Sequence, residues 1–252
     1  FSKEPLNVGF PIYRIINRSA ATHHSTLHPP NSTLKSDHII PNSAFNKEVP
    51  MQYNLHTHTA RCNHATGADR EYVEAAIQAG YGVLGFADHC PQFFPDTDYY
   101  STFRMRPGEF EGYAQSVRAL QKEYAADIQI LLGIETEYYP KTFAALTEFV
   151  RPYHLDYLIM GQHFIGNEYD AGSYYASRQS DERRLLSIYV RQVIEGLETG
   201  RFTYLAHPDI LNYPYDDDFY REQMTVLCRR AKELGIPLEY NILGHINRKC
   251  YP

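Results

Sequence analysis

The sequence predicts an α/β fold with a largely parallel sheet, and a barrel more than an open sheet. Two observations carry this. From Met51 onward, strand-type runs alternate with helix-type runs, and the alternation repeats six times, as in a chain of βα units. Nearly every strand-type run also ends on a side chain able to hold a metal, and barrel enzymes build their sites at the C-terminal ends of strands. Periodicity alone does not decide between a barrel and an open sheet.

MQYNLH, residues 51–56, reads as a short strand. DREYVEAAIQAG reads as a helix, because Tyr72, Val73, Ala76 and Ile77 share a face and Gly80 ends it. GVLGFAD is the second strand, Glu109 to Tyr124 the second helix, and IQILLGIE a buried strand rich in Ile and Leu. A shorter helix is expected near Thr142 to Val150, and DYLIMGQH is the fourth strand. From Asp181 to Thr199, Leu185, Leu186, Tyr189, Val190, Val193, Ile194 and Leu197 recur at amphipathic spacing, closed by Gly200. FTYLAH is the fifth strand. Asp218 to Leu234 is the last helix, with Met224, Leu227, Cys228, Ala231 and Leu234 inward, and IPLEYN is the sixth strand.

The 252 residues suit one large domain or two small ones, and 43% hydrophobic residues can fill a core. A formal charge of -6 argues against a nucleic-acid surface held by bulk electrostatics. It leaves phosphorylated substrates open, because bound metal ions can reverse the local field. Cys62, Cys90, Cys228 and Cys250 are scattered with no CxxC pair, which suits a reducing cytoplasm. No apolar run approaches the roughly 18 to 20 residues of a membrane span, and the first residues lack a signal-peptide core. A cytoplasmic protein without a membrane or nucleic-acid partner is expected, and a homo-oligomer is left open.

Composition changes near Pro50. About half of residues 1–50 are Ser, Thr, Asn, Pro or His, without a sustained period, as in a disordered segment. The domain is expected over residues 51–252, with Met51 as the functional start and residues 1–50 as a disordered or non-native extension. His23, His24, His28 and His38 fall in that extension and read as part of a flexible tail, with metal binding as the lesser reading.

The polar residues fall in a pattern. His56 and His58 end the first strand, Asp88 and His89 the second, Glu135 the third, His163 the fourth, His207 the fifth and Asn241 the sixth. A lone histidine is more often an ordinary structural or surface residue; the joint placement is the signal. Imidazole and carboxylate together suit zinc, iron or manganese, and a carboxylate can bridge two ions. His-x-His on an extended segment puts both rings on one side. His64 follows in the turn-rich loop TARCNHATG, able to fold back over the site. There is no GxSxG, P-loop or GxGxxG, so nucleophilic-serine and nucleotide-cradling readings have no support.

The stretches NLHTHTARCNH, GFADHCP, GIETEY, GQHF and AHPD, in this order, resemble the PHP (polymerase and histidinol phosphatase) superfamily. More narrowly, GLETGRFTYLAHPD followed by GIPLEYN is similar to PHP-type histidinol-phosphate phosphatases. The resemblance covers Met51 to Pro252. It implies a distorted (β/α)7 barrel, TIM-like, holding two or three divalent ions of zinc, iron or manganese. Carried over by motif, His56, His58 and Glu135 hold the first ion. Glu135 bridges to a second ion held by His163 and His207, and His64 and His89 hold the third. The family closes its barrel with a strand ending in Asp-x-His, and GHINRKCYP after Asn241 carries no such motif. The expectation is therefore a barrel lacking its last strand–helix unit, through truncation more than as a natural short form, since the loss would expose a strand edge.

The resemblance implies metal-assisted hydrolysis of a small phosphate monoester, most narrowly L-histidinol phosphate. Another phosphoesterase of the superfamily, and a non-catalytic remnant, are the alternatives. Asp88, Glu135 and His207 are the candidates for catalytic roles, Asp88 as an orienter beside His89, a proton carrier or a plain strand cap. Arg178, Arg183 and Arg184, in a polar loop and helix start, are candidates to grip phosphate as the lesser reading, and an exposed helix face explains Arg183 and Arg184 as well. The tyrosine-rich stretch YDAGSYYASR is a candidate substrate-facing loop. An amidohydrolase-type barrel also opens with His-x-His but wants a bridging lysine where this chain has Glu135, so it ranks lower.

Overall fold

The computed structural model describes residues 14–15, 52–94 and 97–241. The first element is the two-residue strand β1 (Arg14–Ile15), and the main sheet begins after it. That sheet is parallel, in the order β2 (Gln52–Thr57), β3 (Tyr81–His89), β4 (Gln129–Thr136), β5 (Tyr157–Met160) and β8 (Tyr204–Leu205). Parallel neighbours need crossovers, and helices α1 (Asp69–Gln78), α2 (Phe110–Glu123), α3 (Phe143–Val150) and α4 (Arg183–Glu198) supply them. A hairpin of β6 (Phe164–Ile165) and β7 (Tyr174–Tyr175) stands between β5 and α4. Helix α5 (Asp218–Leu234) leads on to β9 (Glu239–Tyr240), which adjoins the sheet through a parallel bridge of Leu238 to Leu205. No helix among the described residues is long and apolar enough to cross a membrane.

The sheet curls. Tyr204 on β8 donates its hydroxyl to the Leu55 carbonyl on β2 at 3.1 Å, and Tyr157 on β5 reaches the same carbonyl at 2.8 Å. In a flat sheet β2 and β8 would stand about 19 Å apart, four strand spacings of roughly 4.8 Å. Alternation then sorts side chains between two cores. On β4, Ile130, Leu132 and Ile134 meet the helices, whereas Leu131, Gly133 and Glu135 line the concave side. The concave core is small, built on Val83, Tyr157, Ile159 and Tyr204. A Cβ on Gly133 would lie 2.4 Å from the Tyr157 ring, so glycine there makes room for the tyrosine that fills the floor. The outer core between sheet and helices is larger, and each fully buried Leu, Ile or Phe in it contributes roughly 1.5–3 kcal/mol.

The predicted helices all form, with ends shifted by no more than two residues. Helix α5 keeps its predicted bounds because the Asp217 side chain accepts the Tyr220 N–H at 2.8 Å and Gly235, at φ 70°, ends it. The later strands are shorter than predicted: DYLIMGQH retains Tyr157–Met160, FTYLAH retains Tyr204–Leu205, and IPLEYN retains Glu239–Tyr240. Backbone bonds run past them, Gly161 N to Thr136 O at 3.1 Å and Ala206 N to Met160 O at 2.8 Å, so the strands loosen into the loops of the site. Arg14–Ile15 falls in the segment expected to be disordered, yet its backbone pairs antiparallel with β9. The rest of that extension, and the tail GHINRKCYP, lie outside the described residues.

Candidate metal centre

Glu135, fully buried near the C-terminal end of β4, is the centre of the site. Its Oε2 lies 3.2 Å from His56 Nε2, 3.4 Å from His58 Nε2 and 3.1 Å from His89 Nδ1. Its Oε1 lies 2.9 Å from His207 Nε2 and 3.5 Å from His163 Nε2. Imidazoles from β2, β3 and the loops after β5 and β8 thus converge on one carboxylate, divided between its two oxygens. A Cβ on Gly161 would lie 1.8 Å from Oε1, so the glycine of GQHF is what admits the carboxylate.

Three backbone irregularities aim the rings. Tyr53 and Leu55 face the concave core, so plain alternation would turn Thr57 inward and His56 away. The pairing of β2 with β3 shifts register between Asn54 and Thr57, and this bulge turns His56 in, with its N–H on the Asn54 side chain at 2.9 Å. Tyr204 and Ala206 also face inward, so His207 would follow outward. Its φ of 29° brings the ring round to Glu135, a strained conformation worth about 1–3 kcal/mol. Asn63, at φ 63°, folds the loop after β2 back and sets His64 on the exposed rim, its ring 4.8 Å from that of His89 and 5.7 Å from that of His58.

Carboxylates hold several rings from behind. Glu239 Oε1 accepts from His56 Nδ1 at 2.9 Å, and its Oε2 accepts the His207 N–H at 2.9 Å and the Asn241 amide at 3.1 Å. Glu137 Oε1 accepts from His163 Nδ1 at 2.8 Å. Asp88 was expected beside His89; instead its Oδ1 faces His58 Nδ1 at 3.6 Å while the carboxylate accepts both the N–H and the hydroxyl of Thr59. Such partners fix which ring nitrogen faces the centre.

Sequence reasoning missed Glu137, Glu239, Arg104 and Glu168. The first two carried a signal, since Glu137 stands two residues after Glu135 and Glu239 two before Asn241, the period that keeps one strand face. Arg178 and Arg183 are placed elsewhere. Arg178 is exposed over the Tyr174 ring, and Arg183 pairs with Asp217 at 3.0 Å and lies over Phe219. Arg184 is exposed on α4. The loop YDAGSYYASR contributes the β7 strand, with Tyr175 exposed.

Charge and unpaired polar atoms both gather at the centre. Burial raises the Glu135 carboxyl, but the imidazoles of His89, His56 and His163 hold it well below the usual carboxylate range. Burial opposes a charge on His56, yet Glu239 and Glu135 raise it to about 10. Burial lowers the His89 imidazole, against the pull of Glu135. Glu135 Oε2 and His89 Nδ1 are buried and without a hydrogen bond although 3.1 Å apart. A divalent ion would satisfy both, and a His and carboxylate donor set suits zinc, iron or manganese. Two ligand groups share Glu135, one with His56 and His207 and one with His58 and His89, their atoms within 4.8 Å of one another. This partition crosses the one carried over by motif, which joins His56 to His58 and His163 to His207. A further group, His58, Cys62 and Asp88, gathers at the other ring nitrogen of His58, Nδ1.

The PHP domain family matches residues 54–242. The chain belongs to this family. Every residue of the site described above lies within the PHP match. A Deinococcus radiodurans protein named "Probable histidinol-phosphatase" is 31% identical over 159 residues, 62% of this chain and 59% of that one. The PHP chain therefore spans less than two thirds of that relative's length. A Bacillus subtilis histidinol-phosphatase is 27% identical over 221 residues, 78% of this chain and 81% of its own. In fold, the PHP domain is similar to a histidinol phosphate phosphatase from Lactococcus lactis solved with zinc, L-histidinol and phosphate. The TM-score is 0.57 at 20% identity, over 74% of this chain and 70% of that one.

Proposed function

We propose that this PHP domain is a metal-dependent phosphomonoester hydrolase that converts L-histidinol phosphate to L-histidinol and phosphate in histidine biosynthesis. The observation that carries the reading is the division of Glu135: Oε2 faces His56, His58 and His89, and Oε1 faces His163 and His207. A carboxylate so placed suits two cations at once. In this reading His56, His58 and Glu135 hold a first ion, Glu135, His163 and His207 a second, and His64 with His89 a third, on a sheet that is most of a (β/α)7 barrel. The names of the relatives, and the zinc, histidinol and phosphate of the Lactococcus lactis structure, support the substrate. The cytoplasm is the proposed location, in keeping with the free thiols of Cys62, Cys90 and Cys228.

Divalent ions bound there supply neutralisation of phosphoryl charge and acidification of water. The chain's own groups fix the geometry. Glu239 and Glu137 accept hydrogen bonds from Nδ1–H of His56 and His163, so that each Nε2 is presented to the centre. Asp88, with its oxygens on Thr59 and beside His58, orients that ring. Phe103 and Phe164 stack at 6.0 Å beside His89 and His163, a wall suited to the flat imidazole ring of the histidinol that leaves. Water adds to phosphorus, the bond to the substrate oxygen breaks, and one proton passes to the alcohol.

The test is a panel of phosphomonoesters offered to zinc-, manganese- and iron-loaded protein, with histidinol phosphate expected to rank first. Weak turnover of it beside strong turnover of another ester would replace the substrate. No hydrolysis of any ester would sink the activity.

A further inference from the structure

Behind His163 the chain buries a cation whose hydrogen bonds go to two carboxylates and a carbonyl. Arg104 is 1% exposed. Its Nη2 donates to Glu137 Oε1 at 2.7 Å and to Glu168 Oε2 at 2.7 Å, and its Nε donates to Glu168 Oε2 at 3.1 Å. The same Glu137 Oε1 accepts His163 Nδ1 at 2.8 Å. One carboxylate oxygen is therefore shared by a guanidinium and an imidazole. With the proton on Nδ1, His163 turns the lone pair of Nε2 toward Glu135 Oε1, 3.5 Å away.

Three segments meet at this arginine: the loop after β3 that carries it, the end of β4 with Glu137, and the β6–β7 loop with Glu168. Glu168 is further fixed by the Tyr99 hydroxyl on Oε1 at 3.0 Å. Glu168 alone would balance the charge of Arg104 one to one. The additional carboxylate is the one that reaches His163, so charge balance by itself does not account for the arrangement.

We propose that Arg104 is a positioning residue for the ion at His163: it holds Glu137 in place, and Glu137 fixes the ring orientation and tautomer of His163. The proposal rests on the reading of this cluster as a metal centre. Loss of either member of the relay then weakens the same ion. Lysine at 104 keeps the charge but lacks the planar fork that sets one nitrogen between two carboxylates.

Zinc affinity, measured by chelator competition and by ions bound per chain, tests this in the wild type, Arg104→Lys, Glu137→Gln and the double variant. Each single change is expected to weaken one class of site by about 10- to 100-fold and leave the others at the wild-type value. The double variant is expected to be no weaker than the worse single one, since the two act in series. Wild-type affinity in folded Arg104→Lys or in folded Glu137→Gln overturns the proposal, and so does full additivity in the double variant. If Arg104→Lys does not fold, Arg104→Gln combined with Glu168→Gln, which removes the cation together with its balancing carboxylate, takes its place under the same measurement. The readout involves no substrate: a shared loss of zinc in a protein that spares histidinol phosphate upholds the relay and overturns only the assigned reaction. A wild-type chain that binds no zinc overturns both.

Discussion

His56 and His163 stand at opposite oxygens of Glu135, and each is gripped from behind by a buried carboxylate, at 2.9 and 2.8 Å. The two carboxylates are stabilised by different means. Glu239, behind His56, fills its second oxygen with neutral dipoles, the His207 N–H and the Asn241 amide. Glu137, behind His163, shares its oxygen with the guanidinium of Arg104, and although burial pushes its carboxyl up, Arg104 and His163 bring it down to about 2. A buried carboxylate needs its lone pairs satisfied, and dipoles or a cation will serve. The choice has a consequence. The Glu239 carboxylate, held otherwise by neutral dipoles, favours a charge on His56, whereas the Glu137 carboxylate divides its pull between His163 and the Arg104 cation.

Glu135 joins the halves, so Glu135→Gln should remove both at once. We expect kcat/KM for histidinol phosphate to fall by at least about 1000-fold, with ions lost per chain in step. Retention of both ions would show that the carboxylate is not shared. Gly161→Ala should come next, because a Cβ 1.8 Å from Oε1 must push the carboxylate aside. A displacement of that size costs about 100-fold in rate. Gly133→Ala makes the matching clash 2.4 Å from the Tyr157 ring, away from the imidazoles. It should lower stability by about 1–3 kcal/mol while the folded fraction keeps its zinc affinity.

The comparison itself is broken by Glu137→Gln against Glu239→Gln. The first disturbs a buried ion pair and should lower the unfolding free energy in urea by about 3 kcal/mol. The second removes one of two carboxylates beside the charged His56, leaving Glu135 to balance it, and should cost less, about 1–2 kcal/mol. Equal losses would erase the distinction between the two sides. The pH dependence sharpens it. His56 titrates at about 10 in the folded chain, above the ordinary 6.5, so its pairing stabilises fully below pH 6.5 and is lost as pH rises through about 10. Chelated protein should therefore melt progressively lower from pH 6.5 to 10, and His56→Gln should flatten that fall. An unchanged slope in His56→Gln would remove Glu239 and Glu135 as its source.

The parts of this arrangement were unequally legible in the sequence. The helices could be read because their apolar residues recur at 3.6 and glycine marks their ends, as at Gly235 after α5. The gathering of His56, His89 and Glu135 could be read because strand ends in a parallel sheet share one mouth. The irregularities that aim the rings could not. A bulge between Asn54 and Thr57, or a φ of 29° at His207, arises from pairing and crowding that no local pattern records. Arg104 is the extreme case, since its partners Glu137 and Glu168 lie 33 and 64 residues away and its loop has no period.

Arg183 is where the smallest effect is expected, and where the sequence left two readings open. Its place in a polar stretch before the fifth strand made it a candidate phosphate grip. In the structure it opens α4, pairs with Asp217 at 3.0 Å, lies over the Phe219 ring and has a side chain 63% exposed. An exposed pair competes with water at every contact and adds little to stability. Arg183→Ala should leave the urea midpoint unmoved and change kcat/KM for histidinol phosphate by less than about threefold. Arg178→Ala, at an exposed residue over Tyr174, should behave alike. A KM raised more than about tenfold by Arg183→Ala, with kcat retained, would mean uniform substrate binding has been lost there. The start of α4 would then belong to the working site, and the ion pair with Asp217 would be a resting contact that the substrate displaces.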